Sequence, residues 1–515
     1  MNLFQKVGQL LIFGIPDFQL TSEVIENLKK WHVGGLILFA RNLQNPSQTK
    51  QLISDLNELL STPEYPLWFC VDQEGGVVVR MTQGVSVFPG NMALGAAQDL
   101  RLAYEMGRLT AQEWGALGVN VNLAPVLDLC DPENPGIGVR SFGEEKNLVA
   151  EIGGELIGGM QEHGLCATAK HFPGKGRARK DSHLDLPTID ISKKELLEIE
   201  LHPFKKAIEA GVSFMMSSHC VYSAIDSNPA TLSKLILTDL LRGELGFKGL
   251  VISDDLEMGA VVKSLPVEEA ALKFIQAGGD QVLVCHTAHT QEKVFQRLLQ
   301  AVKNKELSEK VLDEKIERIR QMKQKSEILR RRCVATQDDA MMRRERLPLE
   351  IARESITLAR NEENLIPIQN KEHSILAVCV DYSPLTLVEE SSFNGTGLKQ
   401  LLQSHCPKLD FEKVSLQPKE EAVALLLAKA NKADLLLIFT YNAHMYSEQR
   451  ALVRVLLQTG KRGVVCPIRN PYDISLFPEA KNCVLSYGFR EVSLKALVDV
   501  LFGVIPAKGK CPVSL

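Results

Sequence analysis

The sequence predicts an α/β protein: a (β/α)8 barrel followed by a smaller three-layer α/β sandwich. Three observations carry that expectation. Eight short apolar runs recur across roughly the first 300 residues, most of them separated by stretches of helical period. Polar and charged residues collect at the C-terminal ends of those runs. After about residue 350 a second, shorter series of apolar runs begins.

The eight runs cover 10–15, 35–40, 67–72, 119–128, 166–171, 212–219, 250–254 and 281–286. Between them lie amphipathic segments such as "TKQLISDLNELL" and "VAEIGGELIGGMQEHG". Uninterrupted apolar strands alternating with helices mark a parallel sheet covered on both faces. Eight such units in about 300 residues match a closed barrel. An open doubly wound sheet is the alternative. It would carry a glycine-rich phosphate loop after an early strand, and the sequence has none. The barrel is expected over 1–335. The charged stretch 306–347, with Arg330, Arg331 and Arg332, reads as a last barrel helix leading into a linker at 336–365. The sandwich is expected over 366–515, with "SILAVCVDY", "ADLLLIFTY", "GVVCPIRN" and "NCVLSYG" as parallel strands and a helix over 422–432.

Composition narrows the function classes. With 515 residues, 45% hydrophobic and 24% charged, the chain is an ordinary globular protein, not a disordered, collagen-like or coiled-coil one. Its net charge of −4, from 59 Lys and Arg against 63 Asp and Glu, gives no electrostatic case for nucleic acid or an anionic membrane. No apolar run approaches the ~18 residues of a membrane helix. The run 10–15 follows Lys6 like a secretory leader, but it stops at Pro16-Asp17 without a small-residue cleavage site. A cytoplasmic protein is expected. The 11 cysteines are odd in number and scattered, with no CxxC pair, as for small buried apolar residues.

The strand ends "VDQEGG", "APVLD", "AKHFPG", "MSSHC" and "ISDD" place hydrogen-bonding groups on the rim that carries chemistry in β/α barrels. One or two could be helix caps; five, carrying Lys, His and Asp, point to a site. In the segment 169–187, Lys170 and His171 end a strand, and a Pro-Gly turn and a glycine-bearing loop lead to Asp181-Ser182-His183. The glycines imply a mobile loop. The Asp-x-His spacing lets a carboxylate orient an imidazole and raise its pKa toward that of a general acid. In the segment 246–260 a strand ends in Asp254 and Asp255. Consecutive strand residues point to opposite sides, so one carboxylate faces the mouth and the other is free to cap the next helix. A carboxylate at the mouth serves as a nucleophile or a metal ligand. The metal reading needs further ligands at suitable spacing, and neither metal nor cofactor is expected.

Taken together, the motifs "DQEGG" (72–76), "APVLD" (124–128), "RSFG" (140–143), "KHFPGKG" (170–176), "DSH" (181–183), "NPATLS" (228–233) and "SDDLEM" (253–258) resemble glycoside hydrolase family 3. Within it, the chain resembles the bacterial β-N-acetylhexosaminidases of cell-wall recycling. The second half looks like the C-terminal sandwich of two-domain members, down to the closing "PVSL" (512–515). The resemblance implies a TIM-like barrel with Asp254 as nucleophile, His183 as acid/base and Asp181 as its carboxylate partner. It implies sugar contacts from Asp72, Arg80, Arg140, Lys170 and His171, and a retaining mechanism. The implied substrate is an amino-sugar oligosaccharide or muropeptide, cut at terminal GlcNAc linked to anhydro-N-acetylmuramyl peptides, with no cofactor, nucleic acid or membrane partner. One alternative is phosphorolysis, since a neutral His does not repel an anionic acceptor. Another is a β-glucosidase or xylosidase, although those relatives usually take a Glu from the second domain and lack the Asp-Ser-His loop. Two positions depart from the family pattern. Val77 stands where Arg is frequent, and Lys175 stands where His is common, followed by Arg177, Arg179 and Lys180. Both bear on the leaving-group preference.

Overall fold

The computed structural model describes residues 1–332, 337–370, 372–381, 384, 386–389 and 396–515. Eight parallel strands close a barrel: β1 (Leu11–Gly14), β2 (Gly35–Leu38), β3 (Trp68–Val71), β4 (Val121–Asn122), β5 (Cys166–Phe172), β6 (Phe214–Ser217), β7 (Leu250–Asp255) and β8 (Gln281–Val284). Each pairs with its neighbours in sequence, and β8 closes on β1 with Leu11 opposite Val282 and Phe13 opposite Val284. All residues of β1 to β6 and of β8 are buried. Helices cover the outside and side chains fill the inside, which is why these runs show no polar alternation.

The run 119–128 differs from its expectation. Only Val121 and Asn122 join the ladder, and pairing resumes as a single bridge between Val126 and Lys170. Pro125 stands between them without an N–H to donate. At the other end of the barrel, Lys323 on helix Glu309–Arg332 plugs the base. Its Nζ donates to Gln9 Oε1 and Gly34 O, both at 2.8 Å.

The second domain is a six-stranded sheet of β9 (Thr357–Asn361), β10 (Ile375–Val380), β11 (Leu409–Val414), β12 (Leu435–Thr440), β13 (Arg462–Pro467) and β14 (Asn482–Leu485). The order is β9-β14-β13-β12-β10-β11, parallel except for β9, which runs antiparallel to β14 along one edge. Helices such as Glu420–Ala430 and Glu491–Leu501 cover it. The stretch 336–365, expected as a linker, holds helix Gln337–Ser355 and edge strand β9. That helix packs on barrel helices Asn91–Ala97 and Leu100–Leu117 and on Glu491–Leu501 of the second domain. Ile351 and Ala352 on it are fully buried, whereas Met342 is exposed.

The two domains share an apolar seam. Val77, Val78, Met92, Ala93 and Ala96 of the barrel belong to the same apolar cluster as the second-domain core. Arg490 Nε donates to Gly76 O at 2.6 Å, Lys510 N to Ala96 O at 2.9 Å, and Glu144 N to Pro512 O at 3.1 Å. The closing "PVSL" thus clips the tail onto the barrel beside "RSFG".

Candidate active site

The C-terminal ends of β3, β5 and β7 bring their charged residues into one buried cluster. Lys170 Nζ, at the end of β5, lies 2.9 Å from Asp72 Oδ1 and 2.7 Å from Glu74 Oε1, both just beyond β3. Arg80 Nη2 reaches Asp72 Oδ2 at 3.1 Å. Arg140 forks onto Glu74, Nε to Oε2 at 2.9 Å and Nη2 to Oε1 at 2.8 Å. Burial alone would raise both carboxyls. The ammonium of Lys170 and guanidinium of Arg80 overcome this at Asp72 and hold it well below the usual range. At Glu74, Arg140 and Lys170 do the same and bring it down to about 2. The floor of the site is therefore fully ionised, and its cations are pre-oriented.

His171 is oriented from behind. Its Nδ1 lies 2.6 Å from Asp128 Oδ2, while Asp128 Oδ1 accepts the backbone N–H of Lys175 at 2.7 Å. Burial, with Lys175, Arg140 and Lys170 nearby, pushes the His171 imidazole well below its normal pKa, so it is neutral. At the end of β7, Asp254 Oδ1 accepts the amide of Asp255 at 2.9 Å. Asp254 Oδ2 stands 3.9 Å from both His171 Nε2 and Lys175 Nζ. Burial would raise this carboxyl, but Lys175, then His219, His183 and Lys170, lower it, so it is an anion at neutral pH.

Asp255 does not cap the next helix. It accepts the amides of Glu257 and Cys285, both at 3.2 Å, and faces His286 Nε2 at 3.3 Å, tying β7 to the loop after β8. The helix Gly259–Val262 has Met258 at its cap position instead. His219 of "MSSHC" bridges Thr231 Oγ1 of "NPATLS" at 2.8 Å and Asp255 O at 3.0 Å, so those two motifs brace the end of β7.

His183 Nδ1 lies 2.6 Å from Asp181 Oδ1, which also accepts the His183 amide at 3.0 Å. Burial opposes ionisation of Asp181, yet the contact with His183 brings its carboxyl down to about 2. The loop that carries the pair is docked. Gly259 N donates to His183 O at 3.0 Å and Ala260 N to Ser182 O at 3.1 Å, while Thr188–Ile189 pairs with Val221–Tyr222. The loop glycines, expected to confer mobility, mark close approach. A Cβ on Gly176 would sit 2.0 Å from Leu129 O. Asn134 Nδ2 grips the same segment through Lys175 O and Gly176 O, both at 2.8 Å.

Asp72, Arg80, Arg140, Lys170, His171, His183 and Asp254 all line one cavity of about 210 Å³; Asp181 stands behind His183. A larger cavity, about 820 Å³, lies at the opposite end of the barrel against Lys50, Asn57, Gly118 and Gln324. It gathers none of the strand-end carboxylates, so the smaller cavity is the candidate active site. The model of the glycosyl hydrolase family 3 N-terminal domain matches residues 2–322. The chain belongs to glycosyl hydrolase family 3. It is 37% identical to a β-hexosaminidase of Nitrosomonas eutropha over 56% of this chain and 84% of that one. It is 28% identical to β-hexosaminidase A of Pseudoalteromonas piscicida over 96% of this chain and 91% of that one. A solved family 3 β-N-acetylglucosaminidase from Paenibacillus sp. superposes with a TM-score of 0.93 at 35% identity, covering 100% of this chain and 99% of that one.

The second domain of this family 3 enzyme also reaches the cavity. Leu387 and Val388 line it, and Val388 O accepts from Arg80 Nη1 at 2.7 Å. The neighbouring Glu389 is locked to Arg469 at 2.6 and 2.8 Å. The basic residues after Lys175 are each held by carboxylates. Arg177 lies 3.8 Å from the Glu195 carboxylate and hydrogen-bonds Glu200 at 2.9 Å, Lys180 pairs with Asp185 at 2.7 Å, and Arg179 with Glu133 and Asp131. Val77, expected to bear on the leaving-group preference, does not border the cavity; it is buried in the inter-domain seam. Glu74 and Asp128 lay inside motifs quoted from the sequence but carried no assigned role there.

Proposed function

We propose that this glycoside hydrolase is an exo-acting, retaining β-N-acetylglucosaminidase with Asp254 as nucleophile, His183 as acid/base and Asp181 as its orienting partner. The observation that carries the reading is that the ionised Asp254 and the Asp181-held His183 border one cavity floored by Asp72, Arg80, Arg140 and Lys170. Asp and Arg side chains suit sugar hydroxyls, which both donate and accept hydrogen bonds. The cavity is smaller than the ~300–1,000 Å³ usual for drug-sized ligands, which supports a single terminal ring. The names of the similar proteins support the amino-sugar reading.

In the first step an Asp254 oxygen bonds to the anomeric carbon, and the bond to the leaving oxygen breaks. That oxygen takes the electron pair and a proton from His183. With Nδ1 on Asp181, Nε2 is the ring nitrogen that meets it. In the second step water attacks the same carbon and gives its proton to His183. The ester electrons return to Asp254. Carboxylates already hold Arg177, Arg179 and Lys180, which supports water rather than phosphate as acceptor. Glu389, tied to Arg469, supports no acid/base role for the second domain. GlcNAc-anhydro-N-acetylmuramyl peptides are the proposed natural substrates. The cytoplasm is the proposed compartment, supported by the ten cysteines among the described residues, none of which forms a disulfide.

The test is turnover of GlcNAc-anhydro-N-acetylmuramyl peptide in water and in phosphate buffer, followed by NMR of the first-formed product. β-GlcNAc is expected in both buffers. A first-formed α anomer would reject the double displacement, and a GlcNAc 1-phosphate product would replace hydrolysis by phosphorolysis.

A further inference from the structure

Lys175 is one of the two positions at which this chain departs from the family pattern, and the structure gives that departure a consequence. Its backbone is gripped from both sides, the amide by Asp128 and the carbonyl by Asn134. Its side chain is only 6% exposed, yet its ammonium ends 3.9 Å from Asp254 Oδ2. It is not among the residues that line the cavity. A buried ammonium needs a compensating anion, and Asp254 is the carboxylate its Nζ approaches.

We infer that Lys175 is a positioning residue for the nucleophile: its buried charge holds Asp254 as an anion and stabilises it as the leaving group when the glycosyl ester is hydrolysed. The inference rests on Asp254 being the nucleophile. In the second step the electron pair of the C1–Oδ bond returns to Asp254, so full carboxylate charge reappears beside the ammonium. Without that ammonium the carboxylate is a poorer leaving group, and the ester persists. Other groups face the pair and remain in every variant. Asp254 is also faced by His171, His219, His183 and Lys170. Lys175 is also faced by Asp128 and Asp181, and by His171, His219 and Cys220.

The experiment compares Lys175→Met, Lys175→Gln and Lys175→Arg with the unmodified enzyme on an aryl β-N-acetylglucosaminide, with Asp254→Asn alongside. For Met and Gln, the acid limb of kcat/KM is expected to move up by about one to three pH units, as for loss of one opposite charge at close range. Their kcat should fall about tenfold or more with KM falling in step. A burst of aryl alcohol and a GlcNAc adduct on the intact protein should appear. Lys175→Arg should restore the limb and abolish the burst. If Met does not fold, Gln decides. A folded neutral variant with an unmoved acid limb and no adduct overturns the inference, provided Asp254→Asn is inactive. An active Asp254→Asn instead removes the nucleophile assignment itself.

Discussion

Replacing Gly259 by Ala should damage catalysis while leaving the enzyme folded. Gly259 opens the short helix beyond β7, and a Cβ built there lies 2.7 Å from the carbonyl oxygens of both His183 and Leu184. Ordinary contact begins near 3.4 Å, so the loop that carries His183 must retreat by about 0.7 Å. His183 and Asp181 travel with it, because backbone and ring hydrogen bonds join them. A misplacement of about 1 Å can cost about 10²-fold. The variant should therefore lose roughly 30- to 100-fold in kcat on a GlcNAc disaccharide, whose leaving group needs a proton. On an activated aryl glycoside, which needs little protonation, the loss should shrink to a few-fold. Steady-state kinetics on both substrates measures this, with thermal melting to verify folding. Gly154→Ala is the control, since nothing lies within 4 Å of a Cβ there. It should be kinetically silent and stabilising by about 0.5–1 kcal/mol. Unchanged rates for Gly259→Ala on both substrates would refute the idea that this contact sets His183. Equal losses on both would shift the defect to binding.

Other expectations follow from the same geometry. Asp254→Asn should abolish turnover and retain sugar binding, as measured by calorimetry with GlcNAc, because the amide is isosteric but forms no ester. His183→Ala should lose most on poor leaving groups, within the ~10²–10⁴-fold range of general acid catalysis; Asp181→Asn should rank substrates alike with smaller losses. Glu74→Gln leaves Arg140 and Lys170 undercompensated and should cost about 3–5 kcal/mol of stability, read from urea unfolding. Burial raises the Glu200 carboxyl from 4.5 to about 7 against the opposing pull of Arg177. The native state thus keeps a proton that the unfolded chain releases, and stability present below pH ~4.5 is lost as pH rises to ~7. Glu200→Gln should flatten that decline in melting temperature; parallel profiles for the two proteins would contradict it.

The barrel was legible because each of its strands is buried on both faces, which leaves unbroken apolar runs. β9 and β11 escaped notice for the opposite reason. They are the two edges of the second sheet, and "LDFEKV" mixes exposed and half-buried residues along its length. Helix Gln337–Ser355 escaped because its charged face dominates the sequence, while the residues that pack on both domains are few. Asp254, Lys170 and His171 stood out because they end strands and His183 because it sits in a spaced pair, whereas Arg80 and Arg140 came only from the family resemblance. Glu74 and Asp128 act only by orienting those cations and rings, and nothing in a linear motif separates an orienting carboxylate from a binding one. Leu387 and Val388 carry no chemical signature; only the folded chain brings them to the mouth.

The seam at Val77 gives this single position diagnostic value. A barrel standing alone would leave residue 77 in water, where an arginine is at ease and a valine is not. Here the valine is covered, and a buried guanidinium without a carboxylate would split the seam. In this chain the residue just after "DQEGG" therefore belongs to the seam between the domains and not to the cavity. Grafting this second domain onto a barrel that carries Arg there should fail until that residue is changed, whereas Val77→Arg in this chain should loosen the domains and leave the chemistry at Asp254 in place.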